Sequence, residues 1–213
     1  MIELYGARDR NSNWERLNEI TPRLAKKDSS LWGVAAQAEA SVRLDWVDLP
    51  DTSRELLPIL DALSAWSREI GHLTFILCGM GGSSLAPEVI AAHYKKPLVI
   101  LDSTQPDQVH DALNSDLSKS CIIVASKSGS TIETASQKAL FQNALKEAGL
   151  DPRNHLVVVT DPDSPLYNSA IEDGLKVVTA NPKVGGRFSA LSAFGLVPAA
   201  LIGIDVSVCS FCW

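Results

Sequence analysis

The stretch Ser126-Lys127-Ser128-Gly129-Ser130-Thr131 lies between an apolar run, Cys121-Ile122-Ile123-Val124-Ala125, and a helical segment that extends towards Gly149. This order predicts a buried strand, a polar turn and a helix. Unpaired N–H groups at a helix N-terminus carry partial positive charge, so such a turn can hold an anion. Gly129 would let the backbone approach a ligand closely. The stretch therefore predicts a phosphorylated small molecule as ligand; ordinary turn formation and helix capping by Ser and Thr are the alternative.

Short apolar runs alternate with longer helical segments around this stretch. The predicted strands cover residues 73–78, 98–101, 121–125, 156–159 and 175–178, and the predicted helices cover residues 84–94, 106–113, 131–148, 165–172 and 192–202. This alternation is typical of an α/β protein: a three-layer, doubly wound parallel sheet, here of about five strands, with helices on both faces. The loops after the strands then share one edge of the sheet, where ligands bind.

The first 70 residues predict a helical extension in front of this sheet. Apolar residues recur at helical spacing in segments 13–27, 31–42 and 52–70. Gly71 can end the last helix, and residues 43–50 form a connector in which Trp46 packs and does not bind a ligand. The predicted division of the chain is a helical extension over 1–70, an α/β domain over 71–206 and an atypical tail over 207–213.

The composition limits the class of protein. Of 213 residues, 46% are hydrophobic and 21% charged, which is typical of a soluble globular protein. A net charge of −6 argues against a nucleic-acid partner, which would require a basic face. No apolar run reaches the roughly 18 residues of a membrane span, and residues 1–10 lack the core of a signal peptide. These features predict a cytoplasmic protein with no membrane partner.

The cysteines and histidines give no metal motif. Cys78 and Cys121 lie in predicted strands and are expected in the core. Cys209 and Cys212 form a lone C-x-x-C pair, so no metal site is expected. The four histidines are scattered and are interpreted as surface or structural residues: His72, His93, His110 and His155.

A second polar loop, Gly79-Met80-Gly81-Gly82-Ser83-Ser84, follows the first predicted strand. Its glycines allow a tight turn and close approach of a ligand. The spacing Gly79-x-Gly81-x-x-Ser84, with Asp102 ending the next strand, also approaches the fingerprint of a dinucleotide-binding domain. Against this less favoured alternative, Ser84 stands where Gly or Ala is preferred, and the loop at 126–131 would have no role.

A third loop, Val184-Gly185-Gly186-Arg187-Phe188-Ser189, places an arginine after two glycines. Such an arginine beside a phosphosugar site can stabilise a developing enediolate oxygen. Candidate general bases are few. Glu88 and Glu133 each lie just inside a predicted helix, where either could simply complement the helix dipole.

Together the three loops resemble those of the phosphoglucose isomerase family, in the sugar isomerase (SIS) domain superfamily. The resemblance runs from about residue 30 to 206 and matches the N-terminal half, including the first SIS domain. It implies reversible isomerisation of glucose 6-phosphate and fructose 6-phosphate through a cis-enediol, with no metal or organic cofactor and a place in glycolysis and gluconeogenesis. The residues that it implies for substrate binding are Gly82, Ser83, Ser126, Lys127, Ser128 and Thr131.

The same resemblance assigns the parts of the substrate to these residues. Ser126, Ser128 and Thr131, with the backbone of Lys127, would hold the phosphate. Gly82 and Ser83 would contact the sugar hydroxyls. Arg187 would stabilise the enediolate, and Glu133 would support the histidine that helps to open the sugar ring.

The chain departs from the family pattern in one respect. The family has a second SIS domain downstream that supplies the glutamate base and the ring-opening histidine and lysine, and no counterpart precedes Trp213. We therefore expect a truncated or frameshifted chain that is inactive alone and that self-associates or forms a homodimer. The alternative function is a non-catalytic module that binds sugar phosphates.

Overall fold

A computed structural model describes residues 12–209 of the chain. Within these residues the sheet has five strands in the order β2-β1-β3-β4-β5, and each neighbouring pair is parallel. The strands are β1 (Thr74–Gly79), β2 (Val99–Leu101), β3 (Ser120–Ser126), β4 (Leu156–Thr160) and β5 (Lys176–Thr179). Each strand end lies within one residue of its predicted position, and the predicted fold class is confirmed.

The helices were predicted well after the first strand and less well before it. The described α-helices are α1 (Ser12–Ala25), α2 (Gln37–Ala40), α3 (Leu49–Thr52), α4 (Leu57–Ile70), α5 (Leu85–His93), α6 (Pro106–Leu113), α7 (Ile132–Glu147), α8 (Pro165–Glu172), α9 (Ala193–Leu201) and α10 (Val206–Cys209). The prediction of one helix over 31–42 is wrong. A 3₁₀ turn at Ser29–Trp32 ends at Gly33, whose φ of 76° no helix can continue, and only α2 follows.

Side chains alternate along each strand and build a hydrophobic core on both faces of the sheet. On β1, Leu77 packs in the core on one face, whereas Ile76 and Cys78 pack in the core on the other. Helices α4, α5 and α9 cover the first face, and α6, α7 and α8 cover the second. This is the distribution that right-handed crossovers impose when strand order reverses between β1 and β3.

The histidines lie away from the carboxyl edge of the sheet or on the surface. His72 precedes β1 and is buried with His155, at a ring distance of 5.3 Å. Burial, together with the neighbouring imidazole of His155, lowers the pKa of His72 to about 4, so this side chain is neutral at pH 7. His93 and His110 are exposed. The interpretation of these residues as structural or surface groups agrees with these positions.

The ends of the chain fall partly outside the described residues. Residues 210–213 of the predicted tail, with Cys212, lie outside them, whereas residues 207–209 belong to α10; Cys78 and Cys121 are buried as expected. Helix α4 shares the core of the sheet through Leu60 and Leu63, and the domain boundary at residue 70 stays a prediction. In the part of the chain that the structure describes, no helix is both long and apolar enough to cross a membrane.

Candidate functional site

A cavity of about 360 Å³ opens at the carboxyl edge of the sheet, beside the ends of β1 and β3. Strand order reverses between these two strands, and such switch points are the usual ligand sites of parallel α/β sheets. The lining residues are Arg43, Met80, Gly82, Ser83, Ala125, Ser126, Lys127, Ser128, Thr131, Asp161 and Gly186. All six residues predicted to bind substrate are therefore brought together, and their roles stay predictions.

The loop after β3 forms the polar floor of the cavity. The buried Ser126 hydroxyl donates a hydrogen bond to Thr131 Oγ1 at 3.1 Å and accepts one from the Gly129 N–H at 3.2 Å. Gly129 has φ of 66°, and an added Cβ would lie 2.6 Å from Ser164 Oγ. The loop thus requires glycine at this position both for its backbone conformation and for space.

Helix α7 begins at the cavity, whose lining includes Thr131, and α5 begins two residues after the lining residue Ser83; neither helix has a capping side chain. Thr131 at the N-cap of α7 and Ser84 at the N-cap of α5 make no side-chain capping hydrogen bond; the Ser84 hydroxyl donates instead to the Gly81 carbonyl at 3.1 Å. By contrast α6, α8 and α9 are capped by the side chains of Gln105, Ser164 and Ser192. The N–H groups at the start of α7 are therefore left for solvent or an anion, which argues against the alternative that Thr131 is a simple cap.

The glycine loop after β1 and the loop that carries Arg187 touch each other through their backbones. A Cβ built on Gly82 would collide with the Gly186 carbonyl oxygen and lie 2.8 Å from its carbonyl carbon. Ser189 reinforces this contact, because its hydroxyl lies 3.4 Å from the Gly82 carbonyl oxygen as well as 2.7 Å from the Gly186 carbonyl oxygen of its own loop. Ser83 is buried beside this contact. Together the two loops form one wall of the cavity.

Lys127 is already paired within the cavity. Its ammonium group lies 2.9 Å from Oδ1 and 2.7 Å from Oδ2 of Asp161, the residue that follows β4. It also donates to the backbone carbonyls of Asn181 at 3.3 Å and Pro182 at 3.4 Å. The ammonium donors of Lys127 are thus occupied within the chain, and a role of its backbone in ligand binding stays a prediction.

The two residues predicted to take part in catalysis are not among those that line the cavity. Arg187 is exposed on a 3₁₀ turn (Gly186–Leu191), and across residues 12–209 its side chain shows no hydrogen bond or ion pair. Glu133 is half-buried in the first turn of α7. Both lie on elements that begin at the cavity rim, and their predicted roles stay untested predictions.

Sequence reasoning missed Arg43, which lines the cavity from the connector before α3. Leu44 forms an isolated antiparallel bridge with Val184, and the Asp45 N–H donates to the Lys183 carbonyl at 3.4 Å. Trp46 stacks on Phe188 with ring centroids 5.0 Å apart, so its predicted packing role is correct. These contacts join residues about 140 positions apart, and no local motif signals them.

The dinucleotide alternative gains no support from the geometry. Asp102, its candidate ribose ligand, is exposed after β2 and is not among the cavity residues. Ser84, at the third position of the fingerprint, is fully buried.

Fold and cavity together define a doubly wound α/β protein with a polar loop site at its switch point. A sequence model of the phosphoglucose isomerase family matches residues 63–209. The chain belongs to the phosphoglucose isomerase family.

Individual relatives agree with this assignment. The chain is 39% identical over 182 residues to a glucose-6-phosphate isomerase from Thermus thermophilus, covering 81% of the chain and 42% of that relative. A solved hypothetical protein from the same organism superposes with a TM-score of 0.74 at 35% identity, over 92% of this chain and 48% of that one. A glucose-6-phosphate isomerase from Chlamydia trachomatis gives a TM-score of 0.60 at 28% identity, over 76% and 31% of the two chains. The chain thus spans less than half the length of these relatives.

The contact between the glycine loop and the arginine loop can be tested by adding one methyl group. Gly82→Ala should lower the free energy of unfolding by about 1–3 kcal/mol, because the new Cβ overlaps the Gly186 backbone. Gly186→Ala is the matched control: its Cβ meets nothing within 4 Å, and the change should be at most about 1 kcal/mol. Urea unfolding measures both, and equal stabilities would disprove the close contact.

Proposed function

We propose that the cavity binds the phosphate of a hexose 6-phosphate and that the chain acts as the phosphosugar-binding part of a glucose-6-phosphate isomerase. The observation that carries this proposal is that α7 begins without a side-chain cap at a cavity whose floor is rich in hydroxyl groups. A phosphate ester offers the negative charge and the acceptor oxygens that this set of donors needs. The family assignment supports the choice of a sugar phosphate.

Within this proposal the cavity residues divide by the part of the substrate they contact. Ser126, Ser128 and Thr131 donate hydroxyl hydrogen bonds to the phosphate, assisted by the backbone at Lys127. Gly82 and Ser83, on the neighbouring wall, contact the sugar hydroxyls.

The catalytic part of the proposal concerns the open side of the cavity. Arg187, at the rim, stabilises the negative oxygen of the cis-enediolate, and Glu133 supports a ring-opening histidine. The isomerisation moves one proton between C2 and C1 and needs a carboxylate base, with no metal or organic cofactor. We place the reaction in glycolysis and gluconeogenesis.

A carboxylate free to act as that base is not found among the described residues that line the cavity. Asp161 is the carboxylate there, and it accepts two hydrogen bonds from Lys127. This pairing favours a second candidate function for this chain, which is to bind a sugar phosphate without converting it.

The phosphate assignment predicts a loss of affinity when the floor hydroxyls are removed. The double variant Ser126→Ala/Thr131→Ala should bind glucose 6-phosphate more weakly by about 1–3 kcal/mol, since hydrogen bonds to a charged group are lost. Titration calorimetry measures this effect. Ser115→Ala, at the amino end of the sheet, is the matched serine control and should bind as the wild type does. Unchanged affinity in the double variant would remove the phosphate role from this loop.

A coupled assay separates the two candidate functions. Purified chain supplied with glucose 6-phosphate should form no fructose 6-phosphate above background, because the cavity carboxylate is paired. A full-length glucose-6-phosphate isomerase in the same assay is the positive control. Binding without turnover supports the binding function, whereas turnover that disappears with Ser126→Ala/Thr131→Ala would show that this chain holds its own base.

We also infer that the chain associates with itself and resides in the cytoplasm. An apolar groove of about 840 Å³ runs between the connector, α5 and the Arg187 loop, and Leu85, Val89 and Phe188 each expose more than half of their surface along it. Exposed apolar area of this kind is typical of protein contact surfaces. Buried, unbonded thiols at Cys78 and Cys121 suit a reducing compartment.

Self-association can be measured by light scattering across a range of concentrations. Wild-type chain should show a mass that rises with concentration, and Val89→Glu should shift it towards monomer, because a charge in an apolar contact is costly. Val34→Glu, at a residue 92% exposed and outside the groove, is the control and should behave as the wild type. Monomeric wild-type chain at all concentrations would contradict the inference.

A further inference from the structure

Arg43 enters the cavity from the N-terminal part of the chain, outside the three loops that carry the family motifs. We infer that Arg43 is a binding residue for the phosphate: it supplies the positive charge that the cavity otherwise lacks. This inference rests on the proposed function, since it concerns the same anion in the same cavity.

The positively charged side chains that line the cavity differ in how many of their N–H donors are free to bind a ligand. Two cations, Arg43 and Lys127, and one anion, Asp161, are among the lining residues. The three N–H donors of the Lys127 ammonium face four acceptors: both oxygens of Asp161 and the carbonyls of Asn181 and Pro182. The charge of Lys127 is therefore balanced by Asp161 and its donors are occupied. A dianionic ester would gain little from it.

Arg43 has donors left over. Its Nε donates to Glu39 Oε1 at 2.9 Å and its Nη1 to the Pro182 carbonyl at 2.7 Å. A guanidinium group has five N–H donors, and no further partner of Arg43 is seen within residues 12–209. The Glu39 side chain is 73% exposed, so water screens this ion pair. The planar guanidinium can therefore offer two parallel hydrogen bonds to phosphate oxygens.

The structure holds Arg43 at the cavity through its neighbours. Leu44 bridges Val184, and the Asp45 carboxylate accepts a hydrogen bond from the Asn181 amide at 2.9 Å. The Asp45 carboxylate also pairs with Lys27. The hydrogen bonds from Lys27 and Asn181 hold the pKa of Asp45 below its ordinary value, so its carboxylate stays charged at pH 7. Residues 181–184 also provide the carbonyls that bond Lys127. One segment thus places both cations at the same wall.

The first test removes the guanidinium and measures glucose 6-phosphate binding by calorimetry at low ionic strength and pH 7.5. Arg43→Gln should weaken binding by about tenfold or more, and Arg43→Lys, which keeps the charge without the fork, by less. Arg68→Gln is the matched control: it removes the same charge from an exposed position near the end of α4, which leads to the amino edge of the sheet, and should leave affinity within about twofold.

The second test changes the partner of Arg43 and leaves the arginine in place. Glu39→Gln removes the carboxylate that competes with the ligand for the guanidinium, so it should tighten binding by about two- to fivefold. A purely structural role for Arg43 predicts weaker or unchanged binding in this variant. This measurement also decides the question if Arg43→Gln does not fold, as judged by circular dichroism.

The outcomes distinguish this inference from the proposed function. If wild-type chain binds glucose 6-phosphate but Arg43→Gln binds within twofold of it, or if Glu39→Gln does not tighten binding, the role of Arg43 is overturned while the phosphosugar site stands. If wild-type chain does not bind glucose 6-phosphate at all, both are overturned.

Discussion

The parallel pairing of β1 with β3 determines where the cavity of this chain lies. Six residue pairs, from Thr74–Ser120 to Gly79–Ala125, place the two strands in register and end them together. Because the strands end together, the glycine loop and the serine-rich loop begin side by side, and both contribute residues to one cavity. At Gly79 the approach is so close that an added Cβ would lie 3.0 Å from the Ala125 carbonyl oxygen. A shift in this register would separate the loops and abolish the cavity.

The cavity suits an anion although the chain as a whole is acidic, with a net charge of −6. Long-range attraction contributes little to such a site, and the ligand must be held by groups in direct contact. In the proposed site, backbone N–H groups, hydroxyls and one guanidinium would provide such contacts, and these act over a few ångströms, where screening by salt is weak. The pairing of Lys127 with Asp161 fits this arrangement, because it fixes the wall without adding net charge.

Much of the fold could be predicted because local patterns determine it. The buried strands are continuous apolar runs, and the helices from α5 to α9 lie between polar turns, so their limits were predicted to within one residue. The region before α4 was harder. Apolar residues between 31 and 42 suggested one helix. The structure instead has a 3₁₀ turn, capped by Asp28, that ends at Gly33, because the positive φ of this glycine cannot continue a helix.

In the site, too, the residues within local sequence motifs could be predicted, whereas those placed by contacts between remote segments could not. Residues 126–131 and 79–84 were predicted together because each follows a strand, and the carboxyl ends of parallel strands meet at one edge. The place of Arg43 could not be predicted in this way. It depends on one antiparallel bridge, Leu44 to Val184, and on the stacking of Trp46 on Phe188, both between segments remote in sequence.

That bridge bears on how this fold could be divided or recombined. An excision that began at residue 63, where the family match starts, would keep all three motif loops and the whole sheet. It would also remove Arg43 from the lining of the cavity and leave Val184 and Phe188 without their partners Leu44 and Trp46. In this chain the limits of the family match and of the cavity therefore differ: a fragment that keeps the whole lining has to include Arg43.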